Sequence, residues 1–197
     1  MTLVRFVALA LFSAAVSAQP APTTRLRGSI EKVDAASIVI KERNGETMTL
    51  ALADNLAVNE VLPLDPAAIQ SGRFVGIAAM PGTDGALAAL EVLVFPEAAR
   101  GSNEGHSPWD LQPGSTMTNA TVTAVTPSAK GRSMTLRYKD GEKTIFVPDG
   151  IPVVTLQPGD RSLLVPGAKV IVTAQNRDGK PTALRITAGR NGFAPPM

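Results

Sequence analysis

Gly28-Ser29-Ile30-Glu31-Lys32-Val33 opens a pattern that the chain writes twice, because Ala120-Thr121-Val122-Thr123-Ala124-Val125 begins it again. Three further landmarks recur in the same order at a spacing of about 95 residues. Asn44-Gly45-Glu46-Thr47 returns as Asp140-Gly141-Glu142-Lys143, and Ser71-Gly72-Arg73-Phe74-Val75-Gly76 returns as Pro166-Gly167-Ala168-Lys169-Val170-Ile171. Asp84-Gly85-Ala86-Leu87 returns as Asp178-Gly179-Lys180-Pro181. One such landmark is a common turn, whereas four at a nearly constant offset indicate an internal duplication.

Each copy reads as β structure. Ser37 to Lys41 and Met134 to Tyr138 are short β-prone runs that lead into Asn-Gly and Asp-Gly turns, residues that accept the backbone of a tight hairpin. In Leu184-Arg185-Ile186-Thr187 the apolar side chains fall on one face and the polar ones on the other. Before the fourth strand of the first copy, Asp65-Pro66 predicts a capped helical turn. The equivalent stretch of the second copy, Pro158 to Pro166, reads as a loop or bulged strand. About five strands per copy predict an all-β chain of two tandem five-stranded OB-like barrels, at residues 24–97 and 116–192. A single two-sheet sandwich is the alternative arrangement.

Upstream of the repeats, Arg5 precedes the apolar run Phe6 to Phe12, and Val16-Ser17-Ala18 then places small or β-branched side chains before Gln19. That is the pattern of a cleavable signal peptide over residues 1–18, and Pro20 and Pro22 break any helix beyond it. Residues 19–23 read as a Pro-rich start and 193–197 as a tail. The expected address is periplasmic or secreted, with no stable membrane anchor after cleavage. The chain has no Cys, one His and a formal charge of +2, which excludes thiol chemistry, thiolate metal centres and zinc sites built on several histidines. With 4% aromatics and no dense basic run, an OB-like pattern here does not imply nucleic-acid binding.

The G-x-I-x-x-V start, the glycine hairpin at Asn44-Gly45, Gly72-Arg73-Phe74-Val75 and the Asp84-Gly85 hairpin together resemble a broad group of bacterial exported proteins with small β-barrel domains of unknown function. The resemblance covers most of the chain after residue 18 and implies a fold and a compartment, without an activity. Ala120 departs from it where the second copy would carry its opening glycine.

Residues 98–115 change character and read as a Gly/Ser/Pro linker between the copies, yet they hold the only Trp and the only His of the chain. An indole left in water is costly, so Trp109 is expected either to pin the barrels together or to present, with Asp110, a binding surface. His106 offers an imidazole nitrogen and Met117 a thioether, so a soft-metal site for copper or silver is a second reading, with Met134 as a further donor. This segment is similar to periplasmic copper and silver chaperones, small β-barrels that use His, Met and a nearby Trp. It departs from them because Met117 stands alone, eight residues beyond Trp109. A carboxylate-dependent hydrolase is a third reading, weakened because Asp84, Asp140 and Asp178 already serve turns. The sequence therefore points to a non-enzymatic binding or accessory protein of the envelope, recognising a partner protein or small ligand near the linker.

Overall fold

The computed structural model describes residues 22–82 and 85–196. The signal-peptide reading of residues 1–18 lies outside them, as does Asp84 of one hairpin. The protein is all-β. The described residues form twelve strands: β1 (Thr23–Val33), β2 (Ser37–Glu42), β3 (Thr47–Pro63), β4 (Phe74–Pro81), β5 (Leu87–Val94), β6 (Gly105–Pro108), β7 (Thr116–Ser128), β8 (Gly131–Tyr138), β9 (Gly141–Pro148), β10 (Val153–Pro158), β11 (Lys169–Arg177) and β12 (Lys180–Ala188). The alternating runs fold as their periodicity demands, with Leu26, Ile30, Ile38, Ile40 and Leu50 directed inward from β1 to β3.

The strands do not associate by repeat. β1 pairs with β2, β2 with β3, β3 with β12 in parallel, β12 with β11, and β11 with β1, which closes a five-stranded barrel. Three of its strands come from the first copy and two from the second. A second ring follows the same order through β7, β8, β9, β5 and β4. It closes through a short parallel contact, Leu87 with Ile145 and Ala88 with Phe146. The tandem arrangement at 24–97 and 116–192 is thereby corrected: each copy gives its last two strands to the other's ring. Sequence periodicity sets which face a strand buries but not which chemically similar ring that face enters, and the two copies are similar enough to exchange.

The chain crosses between rings at equivalent points, after β3 and after β10. Pro66–Ala68 forms the expected 3-10 turn, with the Asp65 carboxylate accepting from the Ala67 amide. The second crossing, read as a loop, carries the same device at Arg161–Leu163, where Asp160 accepts from the Ser162 amide. The hairpin between β11 and β12 has Asp178 and Gly179 both at positive φ, the geometry of a two-residue turn. Gly28 is required for a different reason: a Cβ there would lie 2.1 Å from the Lys41 carbonyl oxygen on the paired strand.

Each ring has its own core, one around Ile40, Leu50, Val172 and Ile186 and the other around Ile77, Val92, Leu136 and Ile145. β10 joins them, antiparallel to the end of β3 and parallel to β5. Val61, Leu93 and Val154 form a small third core at this junction, flanked by Phe95, Leu156 and Phe193.

Candidate functional site

Because β5 and β7 belong to one ring, the segment expected to connect two barrels instead connects two strands of the same barrel. It is also more ordered than its composition suggests. Glu97–Ala99 forms a 3-10 turn, and β6 pairs with the start of β7. The Ser115 hydroxyl donates to the Trp109 and Gln112 carbonyls, and the Trp109 amide donates to the Ser115 carbonyl. This closed loop projects Trp109 and Asp110 away from their own ring and onto β1 of the other.

There, the Arg25 guanidinium lies over the Trp109 ring at 4.0 Å from its centroid, with Arg27 at 6.0 Å. The Asp110 carboxylate accepts from Arg25 at 2.9 Å and from Arg27 at 2.7 Å. Burial pushes the Asp110 carboxyl up, but the hydrogen bonds and charges of Arg27 and Arg25 outweigh it and hold the group below its ordinary range. Arg25 and Arg27 share a face because they are two residues apart on a strand, so one linker carboxylate meets both. The sequence marked Trp109 and Asp110; the arginines it missed were legible only as alternating polar positions of β1.

Beside this clamp a groove of about 160 Å³ opens between the rings. Val61, Val154, Leu156 and Ile171 give it an apolar floor, while Trp109, Arg25 and Arg185 line its polar side. Pro195 and Pro196 from the tail form part of the wall. The Trp109 indole nitrogen is buried and meets no acceptor among the described residues. Trp109 therefore contacts β1 of the other ring and borders an opening.

The candidate metal ligands are placed apart. His106 pairs with Thr118 across β6 and β7, and its Nδ1 lies 2.8 Å from the Thr118 hydroxyl. Met117, the next residue along β7, therefore projects from the opposite face of the ladder. Met134 is wholly buried in the second ring's core. Burial, helped by the nearby Lys143 charge, lowers the His106 pKa. His106 and Met117 consequently do not converge on one ion.

A carboxyl that sequence reading passed over is Glu91 on β5, 1% exposed, with its Oε1 unpaired. Burial pushes its pKa from 4.5 to about 8, against the pull of Arg27 and Arg43. Arg27 likewise carries a buried, unpaired Nε. Glu91 sits sealed at the junction of the rings, out of reach of a substrate. Its only sequence signal was an acid inside the apolar run Leu87 to Val94.

Comparison with protein-family models, with curated proteins and with solved structures gives no match.

Proposed function

We propose that this chain is an exported, non-enzymatic binding or accessory protein that recognises an envelope partner at the groove between its two rings. The observation that carries the reading is the Trp109 surface itself. An ordered loop holds an indole against Arg25 at the rim of an apolar groove, with a buried N–H donor left over. Aromatic and arginine side chains around a small apolar depression are the composition of interface hot spots. At about 160 Å³ the groove is smaller than the roughly 300–1,000 Å³ of a typical small-molecule pocket and suits one or two inserted side chains. The export pattern at residues 1–18 supports the compartment.

Affinity capture from envelope fractions with the intact protein and with Arg185→Ala and Trp109→Phe variants tests this reading. A partner retained by the parent and lost from both variants is the expected result. Capture that both variants leave unchanged refutes the groove as the binding surface. Fractionation with N-terminal sequencing tests the compartment, and a mature chain beginning at Gln19 is expected.

A further inference from the structure

The outer face of the first barrel carries its charges in register. Across β12, β11 and β1 run three rows: Arg185–Thr173–Arg25, Thr187–Ile171–Arg27 and, from β11 through β1 to β2, Lys169–Ser29–Lys41. The first two rows are partly answered by Asp110, which meets Arg25 and Arg27. The third is not: Lys41 and Lys169 have no ion-pair partner among the described residues. They flank Ser29 on either side, two strand spacings or about 10 Å apart. Like charges set this close repel one another and favour a counter-charge from outside.

A cleft of about 510 Å³ lies over this third row. Ser29, Lys41, Arg43 and Lys169 line it together with the single acid Glu42, and the tail residues Ala194 and Pro195 wall one side. Three cations against one carboxylate leave two positive charges. A phosphomonoester carries about −1.5 to −2 at neutral pH, and it offers three strong acceptor oxygens to match two ammoniums, a guanidinium fork and a hydroxyl. The volume is that of a whole small ligand, larger than a lone carboxylate needs.

We propose that the cleft around Ser29 binds a small soluble phosphomonoester, its phosphate seated between Lys41 and Lys169 and within reach of Arg43 and the Ser29 hydroxyl. The site shares only the tail residue Pro195 with the Trp109 groove, and its charged lining is distinct, so it does not depend on the reading given to that groove.

Calorimetric titration of the full protein with glycerol 3-phosphate at 0.15 M salt tests it, with succinate as a dianion lacking phosphate. Saturable binding is expected, weakened about tenfold or more by Lys41→Ala or Lys169→Ala, as loss of one charge-assisted contact implies. Both lysines are exposed, so the variants keep the fold, which circular dichroism checks. Trp109-dependent partner capture stays unchanged in them. Absence of saturable binding overturns the proposal, as do equal binding of succinate or an affinity that neither lysine variant alters. Sedimentation with phosphatidic acid vesicles without binding of the soluble ester overturns it in favour of a lipid surface.

Discussion

Replacing Glu91 by Gln keeps the shape of the side chain and removes its ability to ionise, which isolates the energetic consequence of burying a carboxyl between two rings. Its pKa is raised by burial from 4.5 to about 8. Below the lower value the carboxyl is protonated in folded and unfolded chains alike, and it contributes no pH dependence. Between the two values the unfolded chain releases the proton while the folded chain retains it. Stability therefore falls as pH rises, by about 1.4 kcal/mol per pH unit. Neutral pH lies roughly two and a half units above the lower value, so the penalty there is about 3 kcal/mol, and it levels off above pH 8 near 5 kcal/mol. The Gln variant escapes this penalty at the cost of one buried amide donor near Arg27, a pH-independent loss of about 1 kcal/mol. Urea unfolding of both proteins from pH 4 to 9 reads the difference directly. The variant is expected to be slightly weaker than the parent near pH 4, to overtake it as pH rises, and to hold a constant advantage above pH 8. A difference that stays flat across the range would refute the argument that Glu91 is held protonated by burial.

The clamp and the strand exchange make further predictions. Trp109→Ala removes a partly buried indole and its contact with Arg25, and should cost about 2 kcal/mol in urea unfolding. A double-mutant cycle with Arg25→Ala should return a coupling of about 1 kcal/mol; additive effects would show that the stacked pair contributes nothing. Cutting the chain between Arg100 and Gly101 yields two pieces, each holding three strands of one ring and two of the other. Neither alone should give a folded monomer by chromatography and circular dichroism, whereas mixing them should restore the native signal. A stable monomer from either piece would count against the exchanged pairing.

Strand positions, hairpins, the first helical turn and the duplication were legible because each depends on neighbours close in sequence. Leu26, Ile30 and Ile40 declare their faces by alternation, and Asp65-Pro66 declares a cap. The exchange was not legible, since β4 and β11, like β5 and β12, bear similar apolar faces and either would fill either ring. Trp109 and Asp110 stood out by composition alone, but their arginine partners lie 83 to 85 residues away and only pairing across the fold brings them near. Glu91 was hidden inside an apolar run, because what distinguishes it is the burial supplied by the opposite ring. His106 and Met117 looked convergent in sequence and are separated by one step of a strand, the smallest displacement that reverses a side chain.

The exchange of β4 with β11 and of β5 with β12 also bears on how the chain comes to be folded. If synthesis or translocation delivers it from the N-terminus, β1 to β3 emerge first and wait for partners more than a hundred residues behind them. The second ring can close once β9 has appeared, since all its strands lie within the stretch from β4 to β9. The first ring has to remain an open three-stranded sheet until the last strand arrives. Its unpaired edges are a natural substrate for a holding chaperone during that delay, and the first ring is the last part of the molecule to become protected.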